Sequence, residues 1–169
     1  MNDNILNILF EFIPFFEGKR YKSYKDGAGK LTIGIGHTLG VTEGMTATDD
    51  QIKQWFSQDL HDANLRVTTM VKVPLNDNQY ACMVDIGYNL SYASSVNLSK
   101  YVNTDVNEFK TKLLLYCNDF RGGKEKGLLI RRIAERLLFE GRDWKIVSEY
   151  QKPNFTVQMI NDEIVKLFS

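Results

Sequence analysis

Ile5, Leu6, Ile8, Leu9, Phe12, Ile13 and Phe16 recur at the three- and four-residue intervals that line up one stripe of a helix. Asn2 or Asp3 can cap this helix, Pro14 should kink or tighten its last turn, and Gly18 stands where a C-terminal glycine is expected. The pattern then changes. Six of the chain's 12 glycines fall within residues 20–45. Residues 21–25, the turn Asp26-Gly27-Ala28-Gly29 and residues 30–36 read as a hairpin. Helical periodicity returns at Thr48 and predicts helices over 48–65, 76–90, 105–118, 127–140 and 155–168, separated by Asn, Ser, Gly and Pro.

These elements make an α+β chain, mostly α, in which a small sheet is inserted after the first helix. A single domain spans 1–169, with a small β lobe over about 18–58 and a helical lobe from 1–17 and 66–169. A cleft between such unequal lobes is the default place for a ligand. The last helix should bury Phe155, Met159, Ile160, Val165 and Phe168 in cis, leaving Asn161, Asp162, Glu163 and Lys166 outside.

Charge narrows the function. Lys plus Arg and Asp plus Glu both number 21, so the chain lacks the basic surplus of a nucleic-acid binder. The N-terminal residues carry no basic region, and polar residues break every apolar run before it could span a membrane. The reading is therefore no nucleic acid, no membrane insertion and a monomer. Cys82 and Cys117 read as buried free thiols. His37 and His61 form no metal-ligand pattern, so neither metal nor cofactor is expected.

The chemistry concentrates between Phe16 and Thr38. Glu17 ends a helix, where the negative end of the dipole disfavours a carboxylate, and Phe15 and Phe16 add desolvation. Both effects favour the protonated form that a general acid needs. Asp26, on a polar glycine-rich turn, should stay ionised, and two carboxyls in opposed environments suit an acid and a base acting on one bond. Strand alternation puts Thr32 on the face bared by Gly34 and Gly36, with Leu31, Ile33, Ile35 and His37 on the other.

Glu17, then Asp26 after nine positions, then Thr32 within Thr32-Ile33-Gly34-Ile35-Gly36-His37, resembles the catalytic pattern of phage-type lysozymes (glycoside hydrolase family 24). Phe56-Ser57-Gln58-Asp59 and Gly127-Leu-Leu-Ile-Arg131-Arg132-Ile-Ala-Glu135 are similar to two further segments of that family, and the likeness runs to about Trp144. The chain departs from the family at Tyr88-Asn89-Leu90-Ser91, where Phe-Asn-x-Gly is common. The resemblance implies a lysozyme-like fold with the active-site cleft between the lobes. It implies a muramidase acting on peptidoglycan glycan strands, with Glu17 as general acid and with Asp26 and Thr32 positioning and activating water. It further implies Arg131 against the acid, His37 paired with Asp59, and Gly36, Tyr88 and Asn89 along the sugar cleft. The enzyme would gather in the host cytoplasm and reach the wall after the membrane is permeabilised. The alternatives are a lytic transglycosylase, which needs no water nucleophile, and a non-catalytic wall-binding, tail-associated or toxin domain.

Overall fold

The computed structural model describes residues 1–118 and 125–169. Helix α1, Asp3–Glu17, begins where the Asn2 side chain accepts the Ile5 N–H at 2.9 Å. It runs on through Pro14 and stops at Gly18, which adopts φ +67° and donates its N–H to Pro14 O at 2.9 Å. Glycine takes this left-handed conformation without a Cβ penalty, so Gly18 makes Glu17 the last helical residue.

Strands β1, Arg20–Lys25, and β2, Leu31–Gly34, pair antiparallel, with Tyr24 opposite Thr32 and Lys25 opposite Leu31. The alternation read through residues 31–37 ends early. Gly34 has φ +66°, and the chain folds back so that Ile33 and His37 exchange both backbone hydrogen bonds, at 2.9 and 3.0 Å. His37 therefore does not continue the face of Leu31, Ile33 and Ile35, because a turn separates it from the strand.

Helix α2, Asp49–Met70, opens with a reciprocal cap between Thr48 and Gln51. It passes the predicted end at residue 65 because Val67 is buried one turn after Ala63. Helix α3, Asp77–Asn89, has a similar cap at Asn76, and every residue from Ala81 to Gly87 is buried. It packs against both α1 and α2.

Helix α4, Tyr92–Thr104, was not anticipated, because its serines read as punctuation. Their hydroxyls instead bond to nearby carbonyls: Ser95 to Ser91 O at 3.1 Å and Ser99 to Val96 O at 2.7 Å. Leu98 and Val102 are left to fill the core. Helix α5, Val106–Leu113, is shorter than predicted. Helix α6, Lys126–Phe139, is capped by Glu125, and a 3₁₀ helix, Trp144–Gln151, precedes α7, Val157–Phe168.

Leu9, Phe12 and Ile13 of α1 share one core with α3 and α6, and Trp144 meets Phe12 edge-on at 4.8 Å. In α7 the buried stripe differs from expectation. Ile160 is fully buried, Phe155, Val157, Ile164, Leu167 and Phe168 are partly buried, and Met159 and Val165 are exposed. Positions 157, 160, 164, 167 and 168 follow the helical repeat, and 159 and 165 fall off that arc. Arg136 lies 3.7 Å over the Phe168 ring, fastening α7 to α6. Among the described residues no helix is long and apolar enough to cross a membrane.

Candidate active site

Glu17 sits where α1, the turn after β2 and α6 converge. Its side chain is 22% exposed, and Arg131 Nη1 donates to Oε1 at 2.5 Å. Gly36 adopts φ +75°, and a Cβ built there would stand 3.2 Å from Glu17 Oε2. The missing side chain makes room for the carboxylate, a role that strand patterning did not suggest.

Two cavities meet this region. One, of about 240 Å³, is lined by Gly36 and Thr38 of the turn, Lys30, Asp59 and Arg66, and Tyr88. The other, of about 280 Å³, is lined by Phe16, Glu17, Asn89, Leu128, Arg131 and Gln151. The first thus takes in Gly36 and Tyr88 and the second Asn89. Tyr88 donates its hydroxyl to Ile35 O, tying α3 to the turn. Asn89 accepts from Arg132 Nη2.

Asp26 Oδ1 accepts the Ala28 N–H at 2.9 Å and the Lys30 N–H at 2.8 Å. Both bonds go to one oxygen, so the side chain shapes the turn through Oδ1, and among the described residues no hydrogen bond engages Oδ2. Burial raises the Tyr24 phenol above its ordinary pKa; Arg20 opposes this, and the charges of Glu17 and Asp26 both add to it.

Thr32 stands differently from expectation. It is 3% exposed, its hydroxyl donates to Lys30 O at 3.1 Å, and a Cβ at Gly34 would meet Ile52 at 3.2 Å. The glycine face is covered by α2 at Gly34 and by Glu17 at Gly36. Thr32 keeps an acceptor oxygen, but not on a bare strand surface.

Beneath Glu17 lies a buried charged cluster. Arg131 gives Nη2 to Asp85 Oδ1 at 2.6 Å and Nε to Asp85 Oδ2 at 3.3 Å, which leaves Nη1 for Glu17. Burial disfavours the Arg131 cation, but Asp85 and then Glu17 more than restore it, so its pKa is raised. Burial likewise opposes ionisation of Asp85, and Arg131 overcomes this and holds that carboxyl below its usual range. Glu135 is fully buried and sits 2.8 Å from Arg132 Nη2 as an ion pair; burial pushes its carboxyl well up. Asp85 escaped the sequence reading, although a lone carboxylate within Cys82-Met-Val-Asp85-Ile-Gly87 was a signal, because such residues are almost never fully buried unless paired.

His37 Nδ1 lies 2.8 Å from Asp59 Oδ2, and its ring stacks on Trp55 with planes 4° apart. A histidine partner by itself would hold the Asp59 carboxyl low. Burial raises its pKa, and the opposing pull of His37 does not offset this. Cys82 and Cys117 are buried and unbridged. Among the described residues no cluster of His, Cys, Asp and Glu could hold a metal ion.

Residues 14–135 match the family model described as phage lysozyme. An endolysin of Acyrthosiphon pisum secondary endosymbiont phage 1 is 31% identical over 134 residues, covering 76% of this chain and 92% of that protein. Among solved structures, an endolysin from Escherichia coli O157:H7 phage FAHEc1 superposes with a TM-score of 0.70 at 25% identity, covering 82% of this chain and 91% of that one. The muramidase domain of SpmX from Asticaccaulis excentricus gives 0.70 at 26% identity, covering 82% and 95%.

Proposed function

Because this chain belongs to the phage lysozyme family, we propose that it is an endolysin cutting the β-1,4 bond between N-acetylmuramic acid and N-acetylglucosamine, with Glu17 as general acid and Asp26 as base. The observation that carries the reading is Glu17 at the end of α1, held by Arg131 Nη1 and lining an open cavity, with Asp26 on the separate hairpin turn. Glu17 gives its proton to the glycosidic oxygen as that bond breaks. Asp26 takes a proton from a water that attacks the anomeric carbon from the opposite face, and Thr32 Oγ1 accepts from the same water. His37, paired with Asp59, and Tyr88, bonded to Ile35 O, hold the turn that carries Gly36; Gly36, Tyr88 and Asn89 line the path of the glycan.

A water between sugar and base implies inversion, with carboxyls about 6.5–9.5 Å apart against about 5–5.5 Å in retaining enzymes. The protein acts as a monomer without a cofactor. It gathers in the host cytoplasm and acts on the wall once the membrane is permeabilised.

The test is the release of reducing ends from purified peptidoglycan, with proton NMR of the first anomer formed from a soluble glycan. The expected product is the α-anomer, and Glu17→Gln should slow its release by about a hundred- to ten-thousand-fold. A variant that still clears walls near the wild-type rate would remove Glu17 from the mechanism. Early β-anomer would remove the water-positioning role of Asp26 and Thr32. A 1,6-anhydro product would replace hydrolysis by transglycosylation.

A further inference from the structure

We propose that Asp85 is a positioning residue for the acid: by neutralising Arg131 from beneath, it lets one guanidinium aim at Glu17 without stripping Glu17 of its proton. The inference rests on the reading of Glu17 as general acid. A lone arginine bonded to a carboxylate at 2.5 Å would stabilise the anion, which cannot donate. Here the guanidinium is shared. Asp85, with no exposed surface, takes Nη2 and Nε in the bidentate geometry that fixes an arginine in one plane. Nη1 is then directed at Glu17 with little freedom, and the positive charge it carries is balanced from the other side.

The remaining charged and titratable groups around the pair do not supply this balance. Tyr24 of β1 is half-buried and neutral, and Tyr88 of α3 is held neutral by burial. Cys82 of α3 is likewise pushed toward its neutral form. Asp59 of α2 is within hydrogen-bond reach of His37. Glu125, at the start of α6, accepts the N–H groups of Gly127 and Leu128. On α6, Glu135 stands 2.8 Å from Arg132 Nη2 and 3.7 Å from Arg131 Nε, beyond hydrogen-bond distance of the latter, and burial favours its neutral form. The buried Arg132 adds a second cation, not a balancing anion. Asp85 is left as the buried anion hydrogen-bonded to the arginine that holds the acid.

The sign of the effect follows. An acid must carry its proton, so activity falls as pH rises through the titration of Glu17. Replacing Asp85 by a neutral residue leaves Arg131 uncompensated, favours ionised Glu17 and brings that fall to lower pH.

The experiment uses Asp85→Asn, Asp85→Ser and the charge-retaining Asp85→Glu, with circular dichroism and thermal melts to establish folding. The 13C carboxyl signal of Glu17, assigned by its loss in Glu17→Gln, is titrated in each chain, and kcat/KM on a soluble glycan is followed across pH. In the neutral variants both midpoints should fall by about one pH unit, with Asp85→Glu near wild type. A folded Asp85→Asn or Asp85→Ser with the Glu17 midpoint unmoved overturns the inference. So does failure of both neutral variants to fold, since Asp85 would then act on stability alone. The NMR titration needs no turnover, so a wild type that releases no reducing ends would refute the muramidase reading while still testing Asp85.

Discussion

Gly36 shows how a side chain's absence can shape a site. At φ +75° an alanine costs about 1–2 kcal/mol of backbone strain, and its Cβ would stand against Glu17 Oε2. Gly36→Ala should therefore lose about ten- to a hundredfold in kcat, the cost of a misplaced reacting group, with a melting temperature only a few degrees lower. Comparing kcat with thermal melts separates the two effects, and an unchanged kcat would mean that Glu17 is not positioned by this contact. Glu17 and Asp26 stand in local patterns, a helix end and an Asp-Gly turn, that mark them as candidates in sequence, whereas Arg131 was reached only through the family resemblance, and the structure places it against Glu17. Asp85 was not legible, because its meaning depends on a partner 46 positions away on another helix. Thr32 was legible in kind but not in setting. Alternation gave its face, and only the packing of Ile52 against Gly34 determines that this face is covered.

Among the elements, periodicity succeeded where an apolar stripe dominates and failed where polar residues are folded inward. The first helix, the hairpin, α3 and α6 were all readable. α4 was missed because hydroxyls that bond to carbonyls look, in sequence, like those that end helices. α7 was found with the wrong stripe, and that difference is measurable. Ile160→Ala should cost about 2–5 kcal/mol, as a fully buried truncation does, whereas Val165→Ala, at an exposed position, should stay within about 0.5 kcal/mol. Urea unfolding of both variants decides it. Equal losses would mean that α7 packs on the arc first expected, and no loss from either would mean that α7 does not stabilise the core.

In the molecule as a whole, α2 carries Asp59 to the turn after β2, and the pair with His37 joins the hairpin to that long helix. Asp59 titrates above its ordinary value because it is buried. Between the unfolded value, about 3.9, and the higher folded one, the native chain keeps a proton that the unfolded chain has lost, so stability falls as pH rises through that window. Asp59→Asn should flatten this slope in melts recorded across the acid range, and an unchanged slope would assign it to another group. The link between Glu17 and Arg131 also has a temporal side. The two residues are 114 positions apart, and a ribosome makes Glu17 first. A nascent chain that has not reached α6 already contains Glu17, Asp26 and Tyr88 but lacks the guanidinium that holds the Glu17 side chain. Chains terminated before Arg131 should accordingly release no reducing ends from purified peptidoglycan, and the activity should appear only once translation has passed that residue.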